Sequence, residues 1–345
     1  MITALRSKLA SWEWILAILT VLLLIGAITG NDSFWTAFNI QNSLSTMAEK
    51  SLLVLPLALL IIVREIDISV ASIAGLSAVT AGITLGNGGS VPVAVAVAVL
   101  TGAICGAING FFVAVLGLPA LVVTLGTLAL FRGLCYVLLG GTPISAIPPS
   151  LISFGNDPIP GTFLPWDILP FLVLAPFFVI ALQRVAIGRR IYALGAGPDT
   201  AKYSGVNGVR IKFVLFLMTG IICSIAGIIN IGKNSSASPD AAFGFELDAI
   251  TVVFLGGVSS LGGRGRMTGV YWALLLIMSL RSILQLVGAG GYTQNTAVGL
   301  LLILSLLLTN IVGRVSATIG LRKAKLARMA ELHRSETAAQ PTPMG

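Results

Sequence analysis

Apolar runs of roughly twenty residues, the length that crosses a bilayer, recur from Trp14 to Val312. They predict helices at 14–30, 46–63, 68–86, 91–115, 119–139, 164–182, 213–231, 247–258, 268–287 and 296–312. The expected fold is all-α and polytopic, with about ten transmembrane helices. The run Leu247–Val258 is too short for a straight crossing, and the glycine pairs Gly256-Gly257 and Gly262-Gly263 adjoin it. Irregular backbone at membrane depth survives only inside protein or beside a water-filled cavity. The segment 246–263 is therefore expected to be broken or re-entrant, reaching the inner side near Arg264 and Arg266. Between the fifth and sixth runs, Gly140–Pro165 is rich in proline and glycine and reads as an external cap. Gly102, Gly106 and Gly110 recur every four residues, the small-residue face of a tight helix crossing.

Charge then orients these elements. Arg184, Arg189, Arg190, Lys202, Arg210 and Lys212 crowd into 183–212, and six more basic residues fall between Arg314 and Arg334. Together they are 12 of the 21 basic residues. Short basic loops stay in the cytoplasm, so both segments are expected inside, as are both termini, since Arg6 and Lys8 precede the first span. The chain then divides into a cytoplasmic N-terminus at 1–13, a membrane domain at 14–313 and a basic cytoplasmic tail at 314–345. The end of that tail, from Ser335, has little to bury and is expected to be disordered. The first span also resembles a signal peptide, but no clear Ala-x-Ala site follows it, so it is expected to be retained.

Composition removes several function classes. The chain is 56% hydrophobic and 10% charged, far below the roughly 25% charge of a soluble domain. The net charge of +8 flanks the apolar spans and forms no groove-like cluster, which argues against nucleic acid. The only histidine, His333, lies in the tail, so no His-based triad is available. Cys105, Cys135 and Cys223 sit in apolar runs without a Cys-x-x-Cys pair and read as buried small hydrophobes. No catalytic, metal or cofactor-binding set emerges, and no enzyme is expected.

Charged side chains inside a membrane usually face protein or water. Asp67, beside Arg64 and Glu65, is a candidate for a solute or ion site, or a cap on the next helix through Ser69. Glu246 and Asp248 begin the short eighth run, where they either line a path or cap its N-terminus. Asn109, Thr124, Thr127, Arg132, Asn230, Gln285 and Asn295 could supply hydrogen bonds to a polar solute, or simply join helices. Gly256 and Gly257 complete the set of pathway or gate candidates.

The basic loop reads Gly188-Arg189-Arg190-Ile191-Tyr192-Ala193-Leu194-Gly195-Ala196-Gly197, then Ala201 to Val206. It resembles the cytoplasmic signature of the permease subunits of bacterial sugar-type ABC importers, except that Pro198 stands where asparagine is usual. Glu65-Ile66-Asp67-Ile68-Ser69-Val70, Leu118–Thr127 with Phe131-Arg132-Gly133, and Gly244–Ile250 with the later glycines resemble further signatures of that family. Glu65 replaces the usual glycine or asparagine. The likeness runs from about residue 50 to 312.

The resemblance implies the ABC importer permease fold in the inner membrane and a translocation task. The solute would be a sugar or sugar-like molecule: a pentose, a hexose, a deoxysugar such as rhamnose, or autoinducer-2. It also implies a second permease copy or homologue, a periplasmic solute-binding protein, and separate ATP-binding cassette subunits that use ATP and Mg. Gly188, Arg189, Arg190, Tyr192, Gly195 and Asp199 would then couple this chain to the ATPase. The chain has no Gly-x4-Gly-Lys-Ser/Thr run of its own, so the motor is expected on another chain. The rival reading is an ion-coupled secondary transporter using Asp67, Glu246 or Asp248.

Overall fold

The computed structural model describes residues 12–304 and 307. The expectations for residues 1–11, for the end of the tenth run and for the basic tail with His333 lie outside the described residues. One compact unit, ending at Leu302, holds all the helices named below except the far end of the last.

Seven helices among the described residues are long and apolar enough to cross a bilayer: α1 (Trp12–Gly30), α2 (Ala37–Ile62), α4 (Val91–Val115), α5 (Ala120–Leu139), α7 (Trp166–Gln183), α10 (Gly208–Asn234) and α12 (Met267–Leu286). Ten were expected, and each shortfall has a local cause. α3 (Val70–Gly86) holds 17 residues, because the chain runs through a non-helical connection at 63–69 before it starts. α11 (Phe245–Leu255) holds only 11. A further helix begins at 291 and runs to the edge of the described residues. The smaller helices are α6 (Pro149–Asn156) in the proline-rich cap, and α8 (Ala186–Ala196) and α9 (Pro198–Tyr203) in the basic loop. Pro198 opens α9 at the first helical position, where its missing N–H costs nothing.

α2 is the axis of the unit. Every residue from Met47 to Val63 is buried, with α7, α10, α11 and α12 packed around it. α1, α4, α5 and α7 instead expose leucine, isoleucine, valine and phenylalanine. In water such a surface would aggregate; around a membrane domain it is the face turned to lipid. Glycine sets the closest approach. A Cβ on Gly102 or Gly106 would strike the Gly220 or Phe216 carbonyl, so the expected small-residue face is the crossing of α4 on α10. The three cysteines are free and buried.

The contacts also sort the connections into two ends. Tyr192, Gly195 and Ala196 meet the 63–69 connection and the glycine loop 256–266. At the opposite end, Ile144 bridges Ala237, Asn156 reaches Gly232, and Arg132 donates to the carbonyls of Pro239 and Ala241. Gly265 and the basic loop thus share one end, while the cap and 235–244 share the other. This is the arrangement expected if 247–263 carries the chain across.

Candidate functional site

Two polar constructions stand out in this apolar protein. The first is a junction at the basic end. α8 is amphipathic: Gly188, Ile191, Leu194 and Gly195 are buried, whereas Arg189, Arg190 and Ala193 are exposed, as is Asp199 on α9. The helix docks so closely that a Cβ on Gly195 would run into the Ile62 carbonyl oxygen, and one on Gly188 into that of Leu182. The last carbonyls of a helix lack intrahelical partners. Here Arg64 supplies them, its Nε donating to Gly195 O at 2.6 Å and its Nη2 to Ala196 O at 2.9 Å. Arg64 holds a φ of 69° to do so, a left-handed conformation uncommon outside glycine. Gly263 N–H donates to Ile62 O at 2.8 Å, and the Tyr192 hydroxyl to Gly265 O at 2.6 Å. α8 is therefore fastened both to the end of α2 and to the loop after α11.

The three charges of the 63–69 connection point to three different places. Arg64 goes to α8. Glu65 pairs with Lys212 at the start of α10; burial pushes its carboxyl above the usual range, and Lys212 pulls it back. Asp67, fully buried, accepts from both the backbone N–H (2.9 Å) and the hydroxyl (2.6 Å) of Ser69 at the entry to α3. Asn109 on α4 donates to Ser69 Oγ at 2.8 Å, and Thr124 on α5 to Ile66 O at 3.2 Å. Thr127 donates only to Thr124 O, within its own helix. One short segment thus touches α3, α4, α5, α8 and α10.

The second construction lies deeper in α2. Asp248 of α11 receives Lys50 from α2 and Arg281 from α12, each at 2.6 Å. Lys50 also sits 4.9 Å from the centroid of the Phe245 ring, and Arg281 donates to Asn295 at 3.3 Å. Beside this triad, Asn230 donates to Glu49 at 2.7 Å, Ser45 to Asp167 at 2.6 Å, and Lys233 to the Ser45 carbonyl at 2.6 Å. Three cations and three carboxylates balance here. Asp248 is no simple helix cap, since it binds two other helices. Glu246, two residues earlier, is half-buried. Gly256 abuts the backbone of Val270, and Gly257, at φ 81°, abuts Trp12.

The candidates of the sequence therefore fall into separate places: Asp67, Ser69, Asn109 and Thr124 at the junction, Asp248 in the charge network, Gly256 and Gly257 at the far end of α11. Glu49, Lys50, Asp167, Lys233 and Arg281 were missed. The signal was available for Glu49, Lys50 and Arg281, which stand inside apolar runs where an unpaired charge would be expensive. Among the described residues no group of three His, Cys, Asp or Glu could hold a metal.

Similarity to known proteins extends along most of the chain. The ribose import permease protein RbsC of Escherichia coli K12 is 32% identical over 310 residues, 88% of this chain and 95% of its own. The autoinducer 2 import system permease protein LsrD of Photorhabdus laumondii is 32% identical over 309 residues, 88% of this chain and 91% of its own. LsrC of an Enterobacter species is 32% identical over 288 residues, 83% of each. No solved structure is significantly similar. The family described as "Branched-chain amino acid transport system / permease component", a family of transport subunits and not of enzymes, matches residues 39–309. This chain belongs to that permease family.

Proposed function

We infer that the chain is the translocation subunit of an ATP-driven importer, moving a sugar or sugar-like solute from periplasm to cytoplasm. Relatives named for ribose and autoinducer 2, matched over more than four-fifths of the chain, favour a polyol-like solute over the amino acids of the family's description. The observation that carries the reading is α8. It is a helix outside the spans, packed on one face against α2 by Gly195 and Arg64, with Arg189 and Arg190 free on the other. A free basic face on a firmly anchored helix suits a contact that must transmit force. In this reading Arg189, Arg190 and Asp199 face a separate ATPase that uses ATP and Mg, while Gly188, Tyr192 and Gly195 couple its movement inward by seating α8 on α7, α2 and the loop after α11.

The gate is then formed by two elements. One is the 67–72 entry of α3, with Asp67, Ser69, Asn109, Thr124 and Thr127 behind it. The other is the broken segment 246–263, with Glu246, Asp248, Gly256 and Gly257. Both are packed against other helices in this conformation, so their part is to move with α8 and not to hold solute tightly. The chain works beside a second permease, alike or homologous, and receives solute from a periplasmic binding protein. Its basic loop lies in the cytoplasm of a bacterial inner-membrane protein whose ten crossings count α3, α11 and the helix from 291.

The test is to co-purify the chain with its co-expressed ATPase and binding protein and record ATP hydrolysis across a panel of pentoses, hexoses, deoxysugars and autoinducer-2. Hydrolysis should rise for one solute class and need all partners. Stimulation by leucine or valine in place of every sugar would return the chain to amino acid transport.

A further inference from the structure

The arginines that the junction leaves over share one cavity. It measures about 680 Å³ and lies among the basic ends of α1 and α7, α8 and the 256–266 loop. Its lining includes Trp12, Arg184, Arg189, Tyr192, Arg264 and Arg266. Four guanidiniums meet there with one carboxylate, Glu13, which is already paired with Arg266 at 3.3 Å. Arg184, Arg189 and Arg264 form no ion pair among the described residues. Guanidinium matches phosphate with paired N–H donors and sheds water more readily than ammonium. The excess of positive charge calls for an anion.

The position says which anion. α1 and α7 expose Trp14, Ile18 and Leu22, and Val173, Phe177 and Ile180, so the cavity opens where lipid-facing helices end. Trp12 stands in its wall with the indole N–H donated to Leu255 O at 2.7 Å, at the level where tryptophan is enriched in membrane proteins. α12 packs against both α1 and α7. Along it lie two further cavities of about 260 Å³ each, one lined by Leu24, Phe34, Trp35 and Ile40, the other by Met47, Phe171, Leu172 and Tyr271. Leu275 and Met278 line both. A cationic basket thus stands at the start of α12, and two apolar cavities follow along the same helix.

We propose that this face binds an anionic phospholipid, its phosphate among Arg184, Arg264 and Arg266 and its acyl chains along α12 between α1 and α7. The lipid bridges α1, α7, α8 and the loop after α11, so it braces the outer flank of the α8 junction. Basic pockets at the cytoplasmic ends of transmembrane helices suit such headgroups, at about 1 kcal/mol for each arginine near the surface, or roughly fivefold in affinity.

Native mass spectrometry of the intact assembly, after incubation with mixed micelles of phosphatidylglycerol and phosphatidylcholine, tests the proposal. Phosphatidylglycerol should be retained preferentially and resist excess inorganic phosphate. Arg264→Gln/Arg266→Gln should lower its retention by about tenfold or more. Arg210→Gln, in a separate cavity with Arg190, should leave it unchanged. Arg184→Gln alone, at a side chain with no ion pair, provides the same reading should the double variant fail to fold. Equal retention of the two lipids, or unchanged retention in the variants, overturns the proposal. Displacement by inorganic phosphate would assign the basket to a free anion. Loss of the ATPase subunit with phosphatidylglycerol still bound would assign it to a protein contact.

Discussion

Gly195→Leu leaves the chain in the membrane and cuts solute uptake by about tenfold or more, the equivalent of ~1.4 kcal/mol of lost coupling. The physical cause is local. Any side chain at 195 collides with the Ile62 carbonyl and with the backbone of Gly263, so α8 must lift off the end of α2. Lifting it also draws the Gly195 and Ala196 carbonyls away from Arg64, and Arg64 then has no reason to keep its left-handed backbone. The packed core around α2 is not touched, so accumulation should be normal. Uptake, ATP hydrolysis and membrane content measured together on the assembled importer check this. Normal coupled uptake by Gly195→Leu would reduce the loop to a topology signal that tolerates substitution.

Asp248→Asn acts in the opposite way, on the framework first. It leaves Lys50 and Arg281, both buried, without their shared carboxylate. Removing one partner from a buried ion pair costs about 3–5 kcal/mol, because the charge left behind is neither hydrated nor paired. The expected result is a large fall in the amount of folded chain and in its thermal midpoint, with uptake falling in proportion. Asp199→Asn, on the exposed face of α9, should leave the amount of folded chain and its thermal midpoint unchanged. If Asp248→Asn accumulates normally while uptake alone is lost, Asp248 belongs to the solute path and not to the framework.

The sequence makes the lipid-facing helices plain and the buried ones less so, for a physical reason. α1, α4, α5 and α7 are apolar on most faces because lipid surrounds them, and their predicted limits agree with the structure to within about two residues. α2 starts at Ala37, nine residues before the predicted 46. Its first turns carry Asn39, Ser45, Glu49 and Lys50, which look unsuited to a span when read alone. Each has a partner elsewhere: Ser282, Asp167, Asn230 and Asp248. Periodicity cannot show a partner two hundred residues away.

The broken helix α11 was legible from its length and glycines, because a shortened apolar run is a local feature. Its role as the meeting point of α2 and α12 was not. At the basic loop, the amphipathic pattern of Gly188, Ile191 and Leu194 marks a docked helix, but nothing in Arg64 announces that it caps that helix from 131 residues away. Neighbourhood along the chain leaves Arg64, Glu65 and Asp67 open as either one solute site or a helix end with Asp67 capping the next helix through Ser69. In the fold they serve three different contacts.

Uptake by the reconstituted assembly decides the central claim. The chain, its ATPase and the binding protein are placed in liposomes, with ATP on the side of the basic loop and ionophores present to collapse proton and sodium gradients. A permease driven by a separate ATPase accumulates solute under these conditions and stops when ATP or the ATPase is withheld. Accumulation that needs no ATP and disappears with the ionophores would contradict the account and make the buried carboxylates the coupling site of an ion-driven transporter.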